Sequence, residues 1–225
     1  MRIAEVFDSI QGEGQFAGTP SSFVRLTGCN LRCWFCDPPY TSWQPEGEQQ
    51  NWQDVVATIA EYSSAHIVVT GGEPLLQPEI VALTNGLQTL NRPITIETAG
   101  TIFRPVHADL MSISPKLANS TPRHQVWKQR HEATRHRPLV MRQLMESYPY
   151  QLKFVIDKQN DVDEVERYLA GLPSLDSHCV WLMPQARQTD ELAEKSGWVR
   201  ELARERGFRF SPRLHVEQFG NARGK

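Results

Sequence analysis

The chain has 225 residues, 40% of them hydrophobic and 22% charged, which suits one globular domain with a sizeable core. Its formal net charge of −2 gives no global basic field for nucleic acid, and no apolar run approaches the ~20 residues of a membrane span. Met1 to Asp8 carries no apolar stretch of the secretory kind, so a cytoplasmic location is expected, a reducing one that suits free cysteines.

In chain order, Ser9-Ile10-Gln11-Gly12-Glu13-Gly14 reads first, as a glycine-flanked loop exposing an amide and a carboxylate. A strand over Ser22–Leu26 follows, with Phe23, Arg25 and Thr27 on one face and Val24 and Leu26 on the other. A charge in mid-strand needs a partner. Arg25 is therefore either half of a structural ion pair or an anion hook, its guanidinium suited to a carboxylate. The strand runs straight into Gly28-Cys29-Asn30-Leu31-Arg32-Cys33-Trp34-Phe35-Cys36.

The spacing C-x3-C-x2-C packs three thiolates toward one soft metal centre. A cubane iron–sulfur cluster wants four outside ligands; three cysteines would leave one iron open for chemistry. A structural zinc site wants four Cys or His ligands. The fourth would have to be Cys179, beside His178 and far along the chain. Four cysteines in this length do not make a disulfide-dense chain.

Helices are predicted from Asn51, a capping residue, to Ser63 and from Pro78 to Leu90, flanking a strand over His66–Thr70. That strand ends in Thr70-Gly71-Gly72-Glu73-Pro74, where two glycines permit close backbone approach and Glu73 is placed to hold an ammonium group. Strands over Pro93–Thr98 and Leu110–Ser114 come next. The segment 121–150 breaks the rhythm: Arg123, Lys128, Arg130, Arg135, Arg137 and Arg142 stand against few acids, with His124, His131 and His136 among them. It reads as a helical, solvated insertion, or as a basic lid for an anionic substrate or a redox partner. A strand over Gln151–Asp157 carries Lys153, which burial would penalise unless paired; Glu97, in Thr95-Ile96-Glu97-Thr98, is a candidate partner. A helix from Asn160 to Leu169, a strand over Cys179–Met183 and a helix from Thr189 to before Gly207 complete the pattern. His215, near the C-terminus, reads equally as a surface histidine or a site residue.

Strands alternating with helices predict an α/β fold with a mostly parallel sheet. Six such strands make a partial (β/α)6-type barrel, since a closed eight-stranded one typically needs about 250 residues. Ligands then sit at the C-terminal strand ends.

The cysteine triplet with Gly71-Gly72-Glu73-Pro74 resembles the radical S-adenosylmethionine (SAM) enzymes. The longer run from Glu5 to Asp37, including Gln11-Gly12-Glu13-Gly14, Gly18-x-Pro20 and Phe23-Val24-Arg25-Leu26, is similar to the 7-carboxy-7-deazaguanine synthases. The likeness continues through Glu97–Thr101, Ser114-Pro115-Lys116, Leu152–Val155 and Met183-Pro184-Gln185, and is loose in the helices and the basic segment. It implies a radical SAM barrel and a lyase of queuosine and 7-deazapurine biosynthesis. That lyase converts 6-carboxy-5,6,7,8-tetrahydropterin to 7-carboxy-7-deazaguanine with loss of ammonia. Cluster and SAM carry the chemistry, SAM acting catalytically, so no side chain is expected to be catalytic.

By the same resemblance Cys29, Cys33 and Cys36 hold a [4Fe-4S] cluster. SAM meets Phe35, Cys36, Asp37, Gly72, Glu73, Ser114, Pro115, Lys116, Met183, Pro184, Gln185 and Ala186. Substrate meets Ile10, Gln11, Gly12, Glu13, Arg25 and Thr70, and Lys153 is expected beside them. A flavodoxin- or ferredoxin-type electron donor and a homodimer are implied. The family pattern Cys-Asp-Thr uses its threonine to hold a Mg²⁺ that bridges to substrate. Here Pro38 stands at that position, leaving Asp37 or Thr41 as the candidate oxygens for an expected Mg²⁺. The basic tail from Phe219 to Lys225 is a second departure. A glycyl-radical activase shares the cysteine spacing but lacks the Gln11–Gly14 and Arg25 context; a non-catalytic zinc module is the third reading.

Overall fold

The computed structural model describes residues 1–173, 175–220 and 222–224. Its strands are β1 (Arg2–Ile10), β2 (Pro20–Leu26), β3 (Glu48–Gln49), β4 (His66–Gly71), β5 (Ile94–Thr98), β6 (Leu110–Ile113), β7 (Tyr150–Ile156), β8 (Val180–Pro184) and β9 (Arg209–Phe210). They form one sheet in the order β3-β1-β2-β4-β5-β6-β7-β8-β9. From β2 to β9 every neighbouring pair is parallel. The six central strands are those expected from the sequence, and the sheet stays open at both edges.

β1 was not expected. It pairs antiparallel with β2, and its register slips between Ile3 and Glu5. That bulge breaks the strict alternation by which a half-buried strand is recognised. Beyond β8, the two-residue β9 extends the parallel sheet by one short edge.

Helices α1 (Trp52–Glu61), α2 (Ile80–Gln88), α5 (Asp161–Ala170) and α6 (Thr189–Glu205) cover the sheet where expected. In α5, Val162, Val165 and Tyr168 recur at helical spacing on the buried side. Asp161, Asp163 and Glu164 in its first turn and Arg167 in its last complement the helix dipole. Asn51 occupies the N-cap of α1 but makes no side-chain cap bond. The β5–β6 connection, 99–109, contains no helix. No helix among the described residues is long and apolar enough to cross a membrane.

The segment 121–150 forms α3 (Gln125–Arg135) and α4 (Pro138–Ser147), the crossover between β6 and β7. α4 belongs to the core through Met141 and Leu144, both fully buried. α3 is exposed except at His131, whose Nδ1 accepts from the Arg32 backbone N–H at 3.2 Å. That fixes the tautomer: Nε2 carries the proton and faces the Ser120 hydroxyl at 2.9 Å, which donates to the Leu117 carbonyl at 2.6 Å. Burial pushes the His131 pKa down to about 4 from its ordinary 6.5. A depressed histidine leaves the unfolded chain binding more protons between those values, so its contribution to stability is lost as pH falls from about 6.5 toward 4. His131→Gln should flatten that part of the stability-against-pH curve measured by urea unfolding; an unchanged slope would contradict the assignment.

Candidate active site

The C-terminal ends of the parallel strands open into a cavity of about 460 Å³, within the range of small-molecule sites. Cys29, Cys33 and Cys36 line one side of it. The loop carrying them is fixed from beneath by β4. Gly71, at φ +125°, and Gly72 sit against its backbone: a Cβ on Gly71 would lie 2.0 Å from the Leu26 carbonyl oxygen, and one on Gly72 would lie 2.2 Å from that of Gly28. The glycine pair is thus required by backbone packing on the cysteine loop. The Gly72 N–H donates to Leu26 O at 3.1 Å and the Glu73 N–H to Gly28 O at 2.9 Å, which locks the two loops together.

The thiols fit a cluster better than a single ion. Burial pushes the Cys33 thiol up to about 12 against the opposing pull of Lys116. Burial, aided by the Glu73 carboxylate, raises Cys29 further, and burial raises Cys36. Thiols this reluctant to ionise become thiolates on binding a metal centre, whether a cluster or an ion. Among the described residues no three His, Cys, Asp or Glu are gathered tightly enough to hold one metal ion. A zinc ion demands that gathering, whereas a cube offers its irons at separate corners. Cys179 precedes β8, at the end of the barrel remote from the cavity. The zinc reading is left without a fourth ligand.

The same cavity is lined by a ladder of charges that begins at Asp37, next to Cys36, with Lys153 and Arg213 buried and the carboxylates half-buried. Asp37 Oδ2 accepts from Arg213 Nη2 at 2.8 Å, and Arg213 Nε donates to Glu13 Oε1 at 3.2 Å. Glu13 Oε2 accepts from Lys153 Nζ at 2.7 Å, which also donates to Glu97 Oε1 at 3.2 Å. Glu97 in turn accepts from the Thr70 hydroxyl at 2.7 Å and from Gln11 Nε2 at 3.3 Å. Burial alone would raise the Glu13 pKa, but Lys153 and Arg213 outweigh it and hold the carboxyl well below its usual range. Burial alone would lower Lys153, yet Glu13 and Glu97 hold it above the ordinary lysine range. Glu13, Lys153 and Arg213 are therefore ionised at neutral pH. His215 lies 3.9 Å from Glu13, with its pKa lowered by burial against the pull of Glu13.

Arg25 is half of an ion pair and also lines the cavity. Its register partner across β1 is Glu5, and its Nε lies 2.9 Å from Glu5 Oε2. The Nε–H is not aligned on that oxygen, so the contact is an ion pair rather than a directed hydrogen bond. The guanidinium lies 5.2 Å from the Phe7 ring centroid and faces the cavity.

Of the other expected residues, Ile10, Gln11, Gly12, Phe35, Gly72, Thr70, Ser114, Lys116, Met183 and Gln185 all line the cavity. Glu73 departs from expectation. It is fully buried, and its carboxylate accepts from Leu75 N at 3.2 Å, Thr98 Oγ1 at 2.8 Å and Ala99 N at 2.9 Å. Burial raises its pKa against those donors. It braces the loop instead of projecting, and the backbone around Gly72 and Ala99 faces the cavity in its place. Pro115, Pro184 and Ala186 do not line it either; the Ala186 carbonyl accepts from Arg213 Nη1. Sequence reasoning missed Arg213 altogether, because an arginine between a proline and a short terminal helix carries no local signature.

The expected Mg²⁺ does not fit these residues. Pro38 has no hydroxyl, Thr41 is buried with its hydroxyl donating to Pro38 O at 2.9 Å, and the Asp37 carboxylate is paired with a guanidinium. No member of segment 121–150 lines the cavity.

Residues 23–117 match the family model of the Radical SAM superfamily. A 7-carboxy-7-deazaguanine synthase from Halobacterium salinarum is 43% identical, over 98% of this chain and 91% of its own length. One from Rhodopirellula baltica is 41% identical, over 99% of this chain and 88% of its own. The crystal structure of QueE from Escherichia coli shares the fold with a TM-score of 0.71 at 24% identity, covering 93% of this chain and 92% of that one.

Proposed function

The chain belongs to the 7-carboxy-7-deazaguanine synthases of the radical SAM superfamily, and from that premise we propose that it converts 6-carboxy-5,6,7,8-tetrahydropterin to 7-carboxy-7-deazaguanine and ammonia. The observation that carries the reading is one cavity lined together by the three cysteines, the charge ladder and Arg25. The loss of ammonia accounts for the whole difference in composition between substrate and product. No net oxidant is consumed, which suits a cofactor that is regenerated.

When bound, the cluster and SAM supply the one-electron chemistry that removes and returns a substrate hydrogen. The chain's residues do the rest. Cys29, Cys33 and Cys36 hold three irons. The backbone of Gly72 and Ala99, with Ser114, Lys116, Met183 and Gln185, forms the wall along which SAM would lie. Gln11, Glu13, Thr70 and Glu97 offer a fixed array of donors and acceptors to a pterin edge, and Arg25 meets its carboxylate. The buried Lys153 holds Glu13 and Glu97 in place, so that substrate meets groups already oriented. Anaerobic incubation with the carboxylated tetrahydropterin, SAM and dithionite should yield the deazaguanine and ammonia in equal amounts; their absence would refute the reading. A glycyl-radical activase would need a protein substrate, and nothing in this enclosed ladder favours one.

The family reading carries a homodimer, for which light scattering should give twice the chain mass. It also carries an acidic flavodoxin- or ferredoxin-type donor, and the surface beside the cysteine loop supports one. Arg32 lies over Trp127 of α3 at 4.3 Å, and Trp34, between Cys33 and Phe35, is 41% exposed. Trp34 shares an outer groove of mixed charge with Arg123, Lys158 and Arg167 and with Asp157, Asp161 and Glu164. Reversing Arg123 and Lys128 to glutamate should slow flavodoxin-driven turnover about tenfold at low salt by weakening steering. Dithionite-driven turnover should not change. Equal rates with flavodoxin would sink the assignment.

A further inference from the structure

We propose that Arg213 replaces the divalent cation beside the cysteine loop: its guanidinium joins that of Arg25 in meeting the substrate's carboxylate, and the enzyme turns over without Mg²⁺. The inference rests on the deazaguanine reading and goes beyond it.

The position that would supply a hydroxyl to the ion is Pro38. The nearby alternatives are spent: Thr41 donates inward to Pro38 O at 2.9 Å, and Asp37 Oδ2 accepts from Arg213 at 2.8 Å. A guanidinium therefore already sits where the loop after Cys36 turns toward the cavity. It is held on three sides, by Asp37, by Glu13 at 3.2 Å and by the Ala186 carbonyl. These contacts occupy three of its five N–H donors, and Arg213 lines the cavity. Burial would favour neutral arginine, but Glu13 and Asp37 keep it charged.

Two consequences follow from that placement. A fixed monovalent cation lies next to Asp37, so a second, divalent one would meet like-charge repulsion and would have to displace the guanidinium to use Asp37 Oδ2. The remaining guanidinium donors also match a carboxylate, which is the group the family's Mg²⁺ would engage. The neighbouring charges agree. Glu13 is balanced by Lys153 on its other side, His215 is kept neutral by burial, and Glu97 faces Lys153 rather than Arg213. Arg213 answers both Glu13 and Asp37, so its hold on an incoming anion rests on the two guanidinium N–H groups that no protein group occupies.

The decisive experiment uses the reconstituted, cluster-loaded wild type with SAM and substrate. Mn²⁺ serves as the probe for a divalent site, read by EPR, alongside turnover after chelation and with added Mg²⁺. The expected result is no stoichiometric Mn²⁺ binding and rates that agree within about twofold across all metal conditions. One Mn²⁺ per chain, or a tenfold loss on chelation that Mg²⁺ reverses, would overturn the proposal. Product that forms only with Mg²⁺ defeats this inference alone, whereas no product under any condition defeats the deazaguanine reading.

A second arm tests the residue. Arg213→Gln should raise the KM for the carboxylated pterin about tenfold or more, the worth of one charge-assisted hydrogen bond. Binding of tetrahydropterin lacking the carboxylate should be unchanged. In Pro38→Thr/Arg213→Gln, Mg²⁺ should recover part of the loss and Mn²⁺ should bind. An unchanged KM in Arg213→Gln, or an equal loss for both pterins, contradicts the role. If that variant does not fold, the wild-type metal titration still decides.

Discussion

Cys33→Ala is expected to abolish turnover and to remove the brown absorbance of the anaerobically reconstituted protein. Cys33 lies between the other two ligands and is 7% exposed, and its neighbour Ser120 offers only a hydroxyl, which is no substitute for a thiolate on iron. A cubane left with two cysteine ligands loses the distinction between its anchored irons and its open one. Residual chemistry in that variant would have to come from a different centre. The check is a single-turnover assay with quenched product analysis, together with iron and sulfide content per chain. Product at even a hundredth of the wild-type rate, with no cluster present, would mean that the triplet is not where the reaction begins.

Lys153→Met should be the most destabilising substitution in the cavity. The lysine is 2% exposed and sits between two carboxylates. Methionine fills similar space but leaves Glu97 without its cation and Glu13 with Arg213 alone, as half-buried like charges. Breaking a buried pair from one side costs about 3–5 kcal/mol, a large part of a domain's total stability. The pH dependence follows from the directions of the shifts. Glu13, depressed in the fold, contributes stability that is present above its ordinary 4.5 and is lost as pH falls through its lower folded value. Lys153, raised in the fold, contributes stability that is fully present below its ordinary 10.5 and is lost only as pH rises through its higher folded value. The loss on substitution should therefore be greatest near neutrality and shrink below about pH 4.5, where protonation relieves the repulsion. Urea unfolding of the cluster-free variant against cluster-free wild type at pH 7 and pH 4 measures this. An equal loss at both pH values would show that the ladder's charges are not what the lysine stabilises.

The sequence and the structure agree most closely where chemistry is local. The six central strands show themselves because each is buried on both faces and reads as a short apolar run, as in Ile67-Val68-Val69. The cysteine spacing is a property of one loop and needs no tertiary context. Lys153 stands out as a charge in an apolar strand, and its suspected partner Glu97 is its partner in the fold.

What escaped reading depends on distant parts of the chain or on irregular backbone. β1 escaped because its bulge disrupts alternation. Arg213 escaped because its meaning lies 176 residues upstream, at Asp37. Gly71-Gly72 was legible as a place of close approach, but the approaching group is the cysteine loop's own backbone. Glu73 looked like a ligand because it ends a strand; the Thr98 and Ala99 donors that capture it belong to the next strand's end. The segment 121–150 reads as one basic block, yet the structure divides it into a core helix carrying Met141 and Leu144 and a surface helix pinned to the cysteine loop by His131.

The central claim is that three cysteines leave one corner of a cube free to take the amino and carboxylate groups of SAM within the same cavity. Low-temperature EPR of the reduced, reconstituted protein with and without SAM tests it most directly, using SAM labelled with ¹⁵N at the amino group. The account predicts a reduced-cluster signal that changes on addition of SAM and shows coupling to the labelled nitrogen. A signal indifferent to saturating SAM, or a colourless protein carrying zinc, would contradict it.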